Sequence, residues 1–178
     1  SSSCLCVVNT RRQALDLLDI LDRDGKNDDV LHLSTLLCGR HRKQVQKEVS
    51  ERLRNGRRIL LVSTQVIEAG VDLDFPKAMR AIGPLDRIIQ AAGRCNREGL
   101  RPRDESEVVV FRPEDDASPR GIYRMALDRT VRLFEASGEV DLDDPAFGTR
   151  YFRDLYADLG LDRKRIGGLI QDDRRNLR

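Results

Sequence analysis

The segment Gln90-Ala-Ala-Gly-Arg-Cys-Asn-Arg97 follows an apolar run and sets a glutamine and two arginines around a glycine. Two guanidinium groups three residues apart can neutralise the charge that builds on a transferring phosphoryl group. Plain amphipathicity gives the same pattern, with an apolar stripe inward and arginines in water. A helical projection at ~100° per residue puts Leu85, Ile88, Ile89 and Ala92 on one stripe. Arg87, Gln90 and Arg94 fall opposite it, and Arg97 joins them if the helical path reaches that far. Gly93 marks a helix end or a close approach.

A second stretch runs Ser63-Thr-Gln-Val-Ile-Glu-Ala-Gly-Val-Asp-Leu-Asp-Phe75. The hydroxyls of Ser63 and Thr64 close an apolar strand, where backbone and side-chain donors can meet phosphate oxygens. Asp72 and Asp74 flank Leu73 and can point one way; a strand-to-helix turn with solvated acids has the same spacing. From Arg42 to Arg58 the chain is locally basic, with Arg42, Lys43, Lys47, Arg52, Arg54, Arg57 and Arg58 against Glu48 and Glu51. Such a run either tracks a nucleic-acid backbone or forms a solvated helix face.

Several chemistries are absent from the sequence. It has no G-x-x-x-x-G-K-[ST] phosphate loop and no Asp-Glu pair at a strand end to hold magnesium. His32 and His41 lack acidic or cysteine partners at useful spacing. The four cysteines, Cys4, Cys6, Cys38 and Cys95, form no C-x-x-C pair and fit free thiols in a reducing compartment. No metal site is expected.

The elements that position these residues alternate. Apolar runs predict strands over Cys4–Asn9, Asp29–Thr35, Arg57–Thr64, Lys77–Gly83 and Ser106–Pro113. Helical spacing predicts helices over Arg11–Asp24, Arg40–Gly56 and Pro84–Gly93. Strand–helix alternation argues for a parallel sheet with helices on its faces. Chemistry in such folds gathers at the carboxyl ends of the strands, here Asn9-Thr10, Thr35 and Ser63-Thr64. After Pro113 come a linker and amphipathic helical segments, so residues 1–113 are expected to form one domain and 114–178 a helical appendage, cut short. The chain begins without Met, almost on a strand, as a piece of something longer would.

With 178 residues, 39% hydrophobic and 35% charged, the chain is long enough for a core and too apolar for disorder. Its net charge of +2 means that any nucleic-acid site is a local patch. No apolar run approaches the ~20 residues of a membrane span, and no signal peptide is present. A cytoplasmic protein is expected.

"VSTQVIEAGVDLDF" followed by "PLDRIIQAAGRCNREG" closely resembles motifs V and VI of superfamily 2 helicases. The wording is similar to the helicase-nuclease of type I CRISPR–Cas systems, which Cascade recruits. "CLCVVNTRRQALDLLDIL" is similar to that family's motif IV, "LHLSTLLCGRHRKQ" more loosely to the next motif, and "RYFRDLY" to its linker region. The resemblance covers Cys4 to about Phe111. It implies the second of two RecA-like lobes, a three-layer α/β sandwich on a mostly parallel sheet. ATP and Mg2+ would be held mainly by a first lobe outside this chain. The other partners implied are an HD nuclease domain of the same parent, single-stranded DNA and the Cascade surveillance complex. Carried over residue by residue, Gln90, Arg94 and Arg97 would face the γ-phosphate, the arginines as fingers. Gly70, Asp72 and Gly93 would lie at the nucleotide, Asp72 near its sugar. Ser63 and Thr64, with Thr35 and Arg42, would contact single-stranded DNA. This lobe alone would be inactive, and its two arginines would look like idle surface residues. Two other readings stand beside this one: another superfamily 2 DNA or RNA helicase, and a nucleic-acid-binding module without a motor.

Overall fold

The computed structural model describes residues 3–25, 27–68, 72–102, 105–137, 142 and 144–159. Five strands, β1 (Cys4–Val7), β2 (Val30–Leu33), β3 (Leu60–Ser63), β4 (Lys77–Ala81) and β5 (Glu107–Phe111), form one sheet in the order β2-β3-β1-β4-β5. Every pairing is parallel. Helices α1 (Arg11–Arg23) and α2 (Gly39–Arg54) make the crossovers after β1 and β2, and α3 (Leu85–Ala92) the one after β4. Helices α4 (Ile122–Ser137) and α5 (Pro145–Leu159) follow the sheet. The chain divides into two compact units, residues 1–132 and 133–178.

Strand alternation sorts the core onto two faces. Leu5, Val7, Leu33 and Leu61 point one way, into a cluster with Val49 of α2, Ala91 of α3, Ile67 and Phe75. Cys6, Val8 and Val62 point the other way, onto Ala14, Leu17, Leu18 and Leu21 of α1. The result is the expected α/β three-layer sandwich. The strands are shorter than predicted, because Arg57, Arg58, Asp29 and Thr35 extend the apolar runs without pairing. The continuous apolar run of β3 lies in an interior strand, and β1 holds the middle of the sheet.

Local chemistry fixes the helix ends. Thr10 accepts from Gln13 N at 3.1 Å, and Gln13 Oε1 accepts from the backbone N–H groups of Asn9 and Thr10. This capping box starts α1 where the strand must turn back. Helix α2 stops at Asn55-Gly56, where Gly56 N donates to Leu53 O and Arg57 N to Arg52 O. That pair of bonds needs the left-handed conformation that Gly56 adopts at φ 67°.

In the second unit, Phe134 and Phe147 face each other at 6.1 Å between ring centres, and Phe152 packs beside Tyr151 and Tyr156. No helix among the described residues is long and apolar enough to cross a membrane.

Candidate functional site

Helix α3 ends at Ala92, with Gly93 as its C-cap at φ −65°. The helical path therefore stops short of Arg97, whose position comes from a backbone stitch instead. Phe75 N donates to Arg94 O at 2.8 Å, and Asn96 N returns a bond to Phe75 O at 2.9 Å. Asn96 turns the chain at φ 49° and clamps Arg101 through both ends of its amide. The segments around Phe75 and Arg94–Arg97, distant in sequence, thus share one two-sided backbone connection.

The stripe of α3 is rotated from its projected position. Leu85, Ile88 and Ala91 are buried, whereas Ile89 is 38% exposed. A helix this short meets the sheet along one i, i+3, i+6 line, and Ile89 lies off that line beside exposed Gln90 and Gly93.

Neither arginine is idle. Arg94 is partly buried and donates from Nη2 to Glu68 O at 2.9 Å, while its buried Nε has no partner among the described residues. Burial lowers its pKa from the ordinary arginine value; Arg97 lowers it further and Asp72 opposes. Arg97 pairs with Asp72 at 2.6 Å, and its backbone N–H donates to Asp74. Asp72 is 90% exposed in that pair, so the ion pair is worth only ~0–1 kcal/mol and exchanges partners easily. Arg101 holds Asp74 at 2.6 Å. Asp72 and Asp74 line the same open cavity of about 350 Å3, as their spacing allowed. Gly70 lies outside the described residues.

At the carboxyl edge of the sheet lies a second cavity of about 520 Å3. Thr35 and Thr64 line it together with Asn9, Thr10, Arg11 and Gln65. Ser63 does not reach it. Its side chain is buried inside the sheet, donating to Leu33 O at 2.7 Å, so its hydroxyl is unavailable to an outside ligand. Arg42 sits half-buried in the first turn of α2, away from this lining. Part of the basic run is internally engaged: Arg52 pairs with Glu48 at 2.6 Å, and Lys47 with Glu51.

Sequence reasoning passed over the buried polar groups behind the strand-edge cavity. The strand order reverses between β1 and β4, the switch point where ligands of open α/β sheets bind. Here Asn9 bridges the gap, donating from Nδ2 to Ile82 O at 2.8 Å. Fully buried Arg80 donates to Asn9 Oδ1 and to Ala81 O, each at 2.7 Å, and to the Tyr123 hydroxyl at 3.2 Å. Its Nη2 also lies 3.2 Å from Glu68 Oε1, and Arg87 holds Glu68 Oε2 at 3.2 Å. The Glu68 side chain is wholly buried. Burial raises its pKa above the usual glutamate value, against the opposing pull of Arg80 and Arg87. The one sequence signal was a charged residue in the middle of "KAMRAIG", at an interior strand position.

The chain matches the family model described as CRISPR-associated nuclease/helicase Cas3, C-terminal, over residues 1–100. It is 31% identical over 134 residues to the CRISPR-associated nuclease/helicase Cas3 of Methanothermobacter thermautotrophicus, covering 74% of this chain and 16% of that protein. It superposes on T. fusca Cas3-ATP with a TM-score of 0.68 at 24% identity, over 94% of this chain and 22% of that one. A chain of a CRISPR RNA-guided surveillance complex, pre-nicking, gives 0.64 at 24% identity, over 95% and 23%. The chain thus spans less than a quarter of each of these proteins. On the match over more than half of its length, this chain belongs to the Cas3-like C-terminal family and carries the fold of the second RecA-like lobe of superfamily 2 helicases.

Proposed function

We propose that this chain is the second motor lobe of an ATP-dependent DNA helicase of type I CRISPR interference, acting in the cytoplasm. The observation that carries this reading is the pair Arg94 and Arg97 on a segment stitched to Phe75, one arginine anchored and the other loosely held. A first lobe in the same parent holds ATP with Mg2+, which supplies the phosphoryl group and neutralises part of its charge. Among the described residues of this chain, no group of three or more acidic, His or Cys side chains could hold a metal. Two features support a phosphate-facing role: among the described residues the Arg94 Nε has no partner, and the Arg97 side chain pairs there with an exposed carboxylate.

When the lobes close, Arg94 is pre-positioned by the Glu68 carbonyl and meets the γ-phosphoryl without searching for its orientation. Arg97 exchanges Asp72 for the same charge, leaving the carboxylate for the nucleotide's sugar. Gln90 and Gly93 are exposed beside them, Gln90 orienting the attacking water and Gly93 permitting close approach. Gly70 is assigned to the nucleotide by its place in the motif alone. Thr35 and Thr64, with Asn9 and Arg11, grip single-stranded DNA at the strand-edge cavity, and Arg42 adds a cationic contact to the same strand. Alternating grips of two lobes then move the strand. An HD nuclease domain in the parent and the Cascade surveillance complex are the partners of such a motor; a surveillance-complex chain with the same fold supports this.

The test is Arg97→Ala in the full-length protein. The residue's side-chain pairing is exposed, so stability should change by less than ~1 kcal/mol. DNA-stimulated ATP hydrolysis should fall by ~10³-fold or more, as loss of an arginine finger does. Wild-type turnover in both Arg97→Ala and Arg94→Ala would refute the assignment.

A further inference from the structure

Glu68 lines neither cavity, yet it lies between Arg94 and the strand-edge cavity, where its backbone N–H donates to Gln65 O. Its carbonyl accepts the Arg94 guanidinium at 2.9 Å. Its carboxylate, wholly buried, lies between Arg80 and Arg87, each at 3.2 Å. Arg80 reaches on to Asn9 Oδ1 at 2.7 Å, and Asn9 lines the strand-edge cavity with Gln65, whose amide donates to Asn9 O at 3.3 Å. Tyr123 closes the network, donating to Asn9 Oδ1 at 2.8 Å. A buried carboxylate held by two guanidinium groups cannot change its geometry gradually, because each charge left without its partner in the interior is costly. Any movement of Asn9 must therefore be met by Arg80, and through Arg80 by Glu68.

We propose that Glu68 is the positioning residue for Arg94, and that the buried series Asn9–Arg80–Glu68 transmits occupancy of the strand-edge cavity to that arginine. This rests on the reading of Arg94 as phosphate-facing. A single strand seated against Asn9 and Thr64 shifts or stiffens the Asn9 amide. Arg80 and Glu68 follow, and the Glu68 carbonyl sets Arg94 for the phosphoryl group. DNA stimulation of hydrolysis would then have a physical route across the sheet's switch point. Contiguity alone does not establish coupling, so the decisive readout is the difference between hydrolysis with and without DNA.

The experiment uses full-length protein carrying Glu68→Gln, which keeps the shape and removes the charge. ATP hydrolysis is measured with and without an oligothymidylate, whose binding is followed by fluorescence anisotropy. Misplacing Arg94 should lower kcat in the presence of DNA by about 10²-fold, the effect of an error near 1 Å. The nucleotide KM and oligothymidylate affinity should stay at wild-type values. An unchanged kcat, or kcat and KM degrading together with Tm, would overturn the proposal, since a merely structural role predicts the latter. Tyr123→Phe is the milder variant should Glu68→Gln not fold. It should reduce DNA stimulation with KM unchanged, and full stimulation would overturn the link through Asn9.

The Arg94 Nε–H resonance in protein labelled with 15N-arginine gives a readout independent of catalysis. It should exchange slowly in wild type and at the solvent rate in Glu68→Gln. Wild-type exchange in Glu68→Gln overturns the positioning role. Wild-type turnover in Arg94→Ala would instead defeat the phosphate-facing reading, and with it the functional half of this proposal.

Discussion

Arg80→Met tests the polar core directly. The substitution keeps a long apolar stem and removes a fully buried guanidinium. Lost with it are hydrogen bonds to Asn9 Oδ1 and Ala81 O at 2.7 Å, the 3.2 Å bond to Tyr123, and the 3.2 Å ion pair with Glu68. Among the described residues Glu68 would keep Arg87 alone, which is 41% exposed. Removing one partner of a buried pair costs about 3–5 kcal/mol, a large share of the ~5–15 kcal/mol that holds a domain together. At roughly 2–4 °C per kcal/mol for a chain of this size, Tm should fall by about 6–20 °C. Urea unfolding at constant m-value is the matching equilibrium measurement. The defect should also depend on pH. Burial already raises the Glu68 pKa, and losing Arg80 removes the largest opposing influence, so the folded-state value rises further. A carboxyl with a raised folded-state pKa contributes stability below its unfolded pKa and loses that contribution as pH rises through the folded value. The deficit of Arg80→Met should therefore be largest near neutral pH and shrink toward acid, and adding Glu68→Gln should recover part of it. A loss below ~1 kcal/mol, independent of pH, would refute a buried pair at this position.

Gly93→Ala should separate folding from function. At φ −65° alanine is unstrained, and an added methyl would meet Ile89 O and Gln90 O only at 3.5 and 3.6 Å. Thermal melting should rise by the equivalent of ~0.4–1 kcal/mol, while ATP hydrolysis by the full-length protein should fall if Gly93 faces the first lobe as proposed; unchanged hydrolysis would refute that placement. The thiols should differ in reactivity toward a disulfide reagent at mildly alkaline pH. Cys38 is exposed and should label first, whereas burial pushes Cys6 up to about 12 and should keep it silent until urea unfolds the chain.

The sequence made most of the scaffold legible. Alternating apolar runs and helical stripes, with Asn55-Gly56 and Pro84 as punctuation, specify strand–helix order because each signal is local and repeats along the element. The motif wording likewise pointed to the family before any coordinate. Periodicity failed where a contact decides the outcome. It put Ile89 in the stripe of α3, and only packing on the sheet turned Ala91 inward instead. Ser63 looked available to a ligand, but in the folded sheet the neighbouring Leu33 carbonyl captures its hydroxyl.

What the sequence by itself determined is therefore the parallel α/β lobe, its family, and the two stretches that could meet phosphate. The tertiary structure alone decided how those stretches are held: Arg94 against Glu68 O, Arg97 against Asp72, and both segments joined at Phe75. It also brought Arg80 of β4 and Tyr123 of α4 together with Asn9 and Glu68 from two separate loops. No local pattern encodes that cluster, because a buried charge is tolerated only where several distant polar groups converge on it, and strand order and register create that convergence.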